Sequence, residues 1–179
     1  LLILLMVSGL CCAQYSNHQL YEAYITRDMS VWENYIDSAD WDRLDTEQRK
    51  QLLNYEYGFT AYMLGVDVEK SKQLIQRLET HIEQMKSALP EERCCVYLAS
   101  VYTYRLALNK SQLMKYAKII YSHVERAMEL NPNDPFVLSM QGNVEFYSPF
   151  GSKKTALGYF QRADSLYAIS GTDYERWNR

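Results

Sequence analysis

Glu125–Tyr147 reads ERAMELNPNDPFVLSMQGNVEFY, and its middle, Asn131-Pro132-Asn133-Asp134-Pro135, decides the fold. An apolar-periodic stretch lies on each side. Three readings compete: one broken helix, a linker between domains, or the seam of a repeat. Asparagine readily ends a helix, and Pro132 has no N–H with which to continue one. Asp134 offers a side-chain oxygen to the first free N–H groups of a following helix, and Pro135 suits the first helical position, where an N–H would go unused. The stretch therefore stops one helix and starts another, as a joint between stacked helices does.

Downstream, the spacing predicts a helix from about Pro135 to Tyr147, a loop at SPFGS, and a helix over KKTALGYFQRADSLYAI capped by Ser152. Thr172-Asp173-Tyr174-Glu175 has the spacing of a capping box. It announces either a short helix that closes the stack or a chain cut short at its C-terminus. Upstream, Leu113, Ala117, Ile120, Val124 and Ala127 form one helical stripe, and Asn109 marks a turn before it. A helix opened by Pro90 carries Cys95, Leu98, Ala99, Tyr102 and Leu106 on one side. Val68, Ser71, Ile75, Leu78, Ile82, Met85 and Leu89 alternate steps of three and four, the clearest stripe in the chain. Before it, DTEQRKQLLNYEYGFTAYML opens on Asp45 with Gln48 placed for a capping box and ends at Gly65. Asn17–Thr26 is short and amphipathic, and Asp28 is placed to cap MSVWENYIDSA, whose Val31, Trp32, Tyr35 and Ile36 share a face. No segment alternates with period two between hairpin residues, so no strand is expected.

Composition agrees. The 179 residues include 7 glycines, 4 prolines and 16 tyrosines, which suits helices joined by short turns better than a sandwich or barrel. The formal charge of -3 comes with no basic stripe, so nucleic acid is not an expected partner.

The N-terminus differs. LLILLMVSGL, residues 1–10, is an apolar run about as long as a signal-peptide core and too short to span a bilayer. Cys11 and Ala13 are small residues at the positions that direct cleavage between Ala13 and Gln14. The expectation is a signal peptide over 1–13, truncated at its N-terminus because initiator methionine and basic leader are missing. A mature domain over 14–179 follows, without a transmembrane segment. A buried N-terminal helix is the alternative, and the abrupt change to polar QYSNHQ argues against it. Lipidation of Cys11 or Cys12 is disfavoured by the residues before them, Leu10 and Cys11. The mature chain keeps only Cys94 and Cys95. Helical neighbours point about 100° apart and do not easily close an unstrained bond. Cys95 is expected inside the fold and Cys94 partly covered. An intermolecular bridge is a minor alternative.

Paired helices with short turns call for a search for repeats. Gly58, Ala99 and Gly142 fall midway along the first helices of successive pairs, about 40 residues apart. A small residue there lets two helices approach closely. AMELNPNDP resembles the end of a tetratricopeptide repeat, with Ala127 near the close of a second helix and Pro132 five residues later. Gly142 takes the small position of the next unit. Ala156, Phe160 and Ala163 then match the alanine–aromatic–alanine pattern of the second helix after a two-residue insertion in YSPFGSKK. The match is good over 127–167; elsewhere the second helices lack paired alanines, and HEAT-like packing is the structural alternative. The resemblance implies an all-α superhelix of about four hairpins, of secreted bacterial, Bacteroidetes type. It also implies that first helices line a concave surface. Counting from the small residues places Tyr55, Phe59 and Tyr62, then Val96, Ser100 and Tyr104, then Ser139, Asn143 and Tyr147 on that surface. Tyrosine offers a large contact area at low entropic cost, although it also packs between helices. The family's carboxylate-gripping activity needs several basic residues there. Asn143 alone is suggestive, so that activity is not carried over.

Nothing resembles a catalytic constellation. His18, His81 and His123 are scattered over helices without surrounding motifs. Glycine-rich phosphate loops, G-x-S-x-G and HExxH are missing. DWDRLD, 40–45, lacks the central glycine and closing glutamate of a calcium loop and reads as a turn. No cofactor and no metal site is expected. The function expected is an exported, non-catalytic scaffold that binds a protein or peptide in the envelope or outside the cell. The alternatives are a helical domain of a larger envelope protein of glycan-uptake lipoprotein type, and an enzyme with an unrecognised pocket.

Overall fold

The protein is described here by a computed structural model covering residues 15–178. The signal-peptide reading of 1–13 lies outside these residues. Eight α-helices form four hairpins, and no strand occurs among the described residues. The hairpins are α1 (Asn17–Thr26) with α2 (Ser30–Ser38), α3 (Thr46–Met63) with α4 (Val68–Met85), α5 (Glu91–Leu108) with α6 (Leu113–Leu130), and α7 (Pro135–Tyr147) with α8 (Lys153–Ser170). First helices also touch one another, α3 on α5 and α5 on α7, and second helices touch the next first helix, α4 on α5 and α6 on α7. That is the neighbour pattern of an all-α helical superhelix.

The chemistry of the ends explains the boundaries. At the 131–135 joint, the Asn131 N–H donates to the Ala127 carbonyl and closes α6. Asp134 Oδ1 accepts from the Phe136 and Val137 N–H groups at 2.8 and 3.3 Å, and Pro135 begins α7. Asp45 and Gln48 form a full capping box on α3. Ser152 caps α8 by accepting from the Thr155 N–H. Asp28 does not cap α2. That helix starts one residue later than expected and has no side-chain cap, and Asp28 instead accepts from the Ser30 hydroxyl at 2.5 Å. Pro90 sits just outside α5 rather than at its first helical residue.

Two apolar clusters make the core. One gathers Leu20, Trp32, Ile36, Leu52, Tyr55, Phe59 and Leu74 from α1 to α4, and the other runs from Leu53 and Leu78 through Val96, Val124 and Phe136 to Tyr167. The stripe of α4 is buried from Ser71 to Met85, while Val68 at its start stays exposed. α5 lies in the middle of the stack and is buried on almost every side, so Cys94 is as well covered as Cys95 and both are free thiols. Ion pairs fasten the hairpins. Lys70 and Arg77 of α4 reach Glu33 and Asp37 of α2.

The predicted box at Thr172–Glu175 opens a six-residue 3-10 segment, Asp173–Asn178, with the Thr172 N–H and hydroxyl donating to Glu175 Oε2. The segment does not extend the stack past α8. It turns back and packs on α1 and α3.

Candidate binding face

The first helices place two features side by side on their shared face. One is an open groove of about 550 Å³ between the C-terminal halves of α3, α5 and α7, with α6 as its floor. The other is the seat of the Asp173–Asn178 segment.

The groove is walled mostly by apolar groups, among them Ala61 of α3 and Leu64 just after it, Ala107 of α5, Ile120 of α6, and Met140 and Val144 of α7. None of its lining side chains is charged. Its hydroxyl groups are largely occupied within the fold. Tyr104 donates to the Tyr57 carbonyl at 3.1 Å, Tyr121 to Ser148 Oγ at 2.7 Å, Ser100 to the Val96 carbonyl and Thr103 to the Ala99 carbonyl. Such a wall favours an apolar guest, because a charged one would lose its water without gaining a partner. Among its lining side chains, Tyr147 has 78% of its surface exposed and Leu113 is half-exposed.

Of the nine residues placed on this face from the sequence, four line the groove: Ser100, Tyr104, Asn143 and Tyr147. Ser139 is partly exposed and outside it. Tyr62 is exposed but stacks on Phe59, away from the groove. Tyr55, Phe59 and Val96 are buried in the core. Tyr55 packs edge-on against Trp32 and Tyr35, and its hydroxyl meets Asn17 at 3.4 Å. The groove instead takes Tyr57 and Ala61 of α3 and Leu64 just after it, each two positions on from the stripe counted. Between Leu52 and Thr60 every residue of α3 but Tyr57 is buried, polar Asn54 and Glu56 included, so the apolar pattern does not select a face.

The repeat-defining small residues have specific neighbours. A Cβ on Gly142 would lie 2.6 Å from the Phe160 ring, so glycine lets α7 and α8 approach. Ala99, Ala127, Ala156 and Ala163 are fully buried. Pro132 sits in the turn after α6. Gly58 is different. A Cβ there would lie 2.5 Å from Trp177 and 2.8 Å from Trp32, so its nearest neighbours belong to the 173–178 segment and α2.

The seat of that segment is polar and aromatic. The Trp177 ring lies among Tyr24, Trp32 and Tyr57, with centroids 5.2 to 5.9 Å away. Its indole N–H donates to Asn54 Oδ1 at 2.7 Å, and the Asn54 amide reaches the Tyr97 hydroxyl. Arg93 is bound on two sides. Its Nε donates to Asp134 Oδ2 at 2.9 Å, and another guanidinium nitrogen pairs with the buried Glu175 carboxylate. Burial alone would lower the Arg93 pKa, but the two carboxylates together hold it well above its ordinary value. Asp134 thus caps α7 with one oxygen and orients Arg93 with the other. The only sequence signal for this seat is the Thr172–Glu175 spacing, which says where a helical turn begins and not where it docks.

A third cluster lies outside this face. His81 Nδ1 is 2.7 Å from Glu56 Oε2, Arg77 Nε is 3.1 Å from Glu56 Oε1, and the His81 ring stacks on Trp41 at 3.7 Å. A carboxylate that fixes an imidazole is a familiar catalytic pairing. Here one ring face is covered by the indole, and the cluster ties α3 and α4 to the Trp41–Arg43 turn. Among the described residues, no group of three or more His, Cys, Asp or Glu is arranged to hold a metal ion, and no helix is long and apolar enough to cross a membrane. Comparison of the chain with protein-family models, with curated proteins and with solved structures finds no match.

Proposed function

We propose that the chain is an exported scaffold that binds a protein or peptide through the inner face of a tetratricopeptide-like stack. The observation that carries this reading is the groove: about 550 Å³, apolar, uncharged in its lining, with Tyr147 exposed in that lining. A groove between helices takes a partner's apolar helix face or an extended apolar segment, with anchors at alternate or i, i+3, i+4 positions. The phase of Ala127, Pro132, Gly142, Ala156, Phe160 and Ala163 supports the tetratricopeptide class. The exported location rests on the leader sequence over 1–13.

The test is selection of peptides from a displayed library on the full chain, followed by affinity measurement on groove variants. Ala107→Trp fills the groove from an exposed position, and Tyr147→Ala removes an exposed ring from its lining. Selected peptides should carry apolar anchors at regular spacing, and each variant should weaken them about tenfold or more, as for a central contact. Equal binding to the Ala107→Trp chain refutes the groove as the site. The volume also falls within the range of small-molecule pockets. Saturable binding of a fluorescent acyl chain, with no peptide selected, would favour an apolar small ligand instead.

A further inference from the structure

The geometry points to the seat of Trp177 as a recognition site for a peptide segment with a glutamate two residues before a tryptophan, occupied here by the chain's own Glu175 and Trp177. The partner inferred is therefore another protein's Glu-x-Trp segment. This goes beyond the groove, since it concerns different residues, and failure of the groove variants leaves it standing.

Three observations carry it. First, the seat is built from the stack, while the occupant is a short segment that follows α8. The carboxylate is read by Arg93, which Asp134 orients from α7. The indole is read by shape over Gly58, where no Cβ fits, and by the Asn54 carbonyl at 2.7 Å. A ring without an N–H, such as phenylalanine, leaves the wholly buried Asn54 oxygen without its donor, which selects tryptophan. Second, the occupant is a short segment held by a few side chains. It is six residues of 3-10 helix with poorer hydrogen bonding than an α-helix, Trp177 is only partly buried, and the buried Asn178 Oδ1 has no hydrogen-bond partner. Third, the chemistry of the seat is two-point and spaced. A partly buried cation and an indole acceptor on neighbouring first helices are the pattern of a side-chain-reading peptide site. A segment that opens locally releases such a site at a cost below global unfolding.

The experiment uses a labelled peptide of residues 171–178. It should bind the full chain carrying Glu175→Gln and Trp177→Ala at least about tenfold more tightly than the unaltered chain, whose own segment competes. A peptide with Trp177→Phe should lose most of that affinity. No saturable binding to the variant, shown to be folded by circular dichroism and a cooperative thermal transition, overturns the proposal. So does equal binding to both chains. Should the variant not fold, hydrogen exchange on the unaltered chain decides. Excess peptide carrying Tyr174→Phe, distinguishable by mass, should speed exchange in the chain's own 172–178 while α3 and α5 stay protected. Unchanged exchange there overturns the proposal.

Discussion

At the scale of single residues, the helical glycines of the last hairpin, Gly142 and Gly158, separate sterics from chain entropy. Gly142 faces the Phe160 ring, and a methyl group there would sit 2.6 Å from it. Gly142→Ala should lower stability by about 1 to 3 kcal/mol through overpacking. Gly158 lies within α8 with nothing within 4 Å of an added Cβ. Gly158→Ala should raise stability by about 0.5 to 1 kcal/mol, because alanine has less backbone freedom to lose. Denaturant midpoints at constant slope read both, and equal signs would contradict the packing. Cys94 gives a second test. Burial, with Cys95 beside it, pushes its thiol up to about 11, and burial raises Cys95 as well. The reactive thiolate is scarce at neutral pH. Alkylation should leave the 94–105 peptide unmodified until denaturant is added, as read by mass spectrometry. Rapid labelling of the native chain would show that α5 is less well covered.

At the scale of elements, the 131–135 joint does more than separate α6 from α7. Asp134→Ala removes the α7 cap and leaves Arg93 with Glu175 as its one remaining carboxylate. The expected loss is about 2 to 3 kcal/mol, read from thermal or denaturant unfolding. Asp134→Asn keeps a capping oxygen without the charge and should recover roughly the capping part, about 1 kcal/mol. No difference between the two substitutions would mean that the cap contributes nothing, and an Asp134→Asn chain as stable as the unaltered one would mean that the ion pair contributes nothing. Element ends were legible in the sequence wherever a side chain caps its own helix, as Asp45, Asp134 and Ser152 do. The start of α2 was not legible, because Asp28 pairs with Ser30 instead of the helix. Two of the three groove positions counted on α5, and two on α7, were legible as well. On α3 none was, because between Leu52 and Thr60 the helix is buried on nearly every side and no polar face orients it.

At the scale of the whole molecule, tyrosine sets the alkaline limit. Burial pushes the Tyr57 phenol up to about 12. Burial likewise pushes Tyr35 up to about 12 and raises Tyr55, Tyr97, Tyr104 and Tyr167 further. In the unfolded chain a phenol loses its proton near pH 10. Between there and its raised value, the folded chain binds more protons than the unfolded one, so stability falls as pH rises. The contribution is complete below about pH 10 and is lost progressively above it. Unfolding midpoints against pH should fall most steeply in that window, and part of the tyrosinate absorbance should appear only with unfolding. A full tyrosine titration with the helical circular dichroism intact would contradict this burial.

The sequence by itself determined the class of the fold and its helical joints, because turns, caps and a period near 3.6 are local properties of the chain. It also marked Gly142 and the alanines as places of close approach. Only the tertiary structure decided which side of α3 faces inward, since that depends on what packs against it from far along the chain. It alone placed Trp177 over Gly58 and Glu175 beside Arg93, contacts that span 119 and 82 residues and leave no periodic trace in the residues that make them.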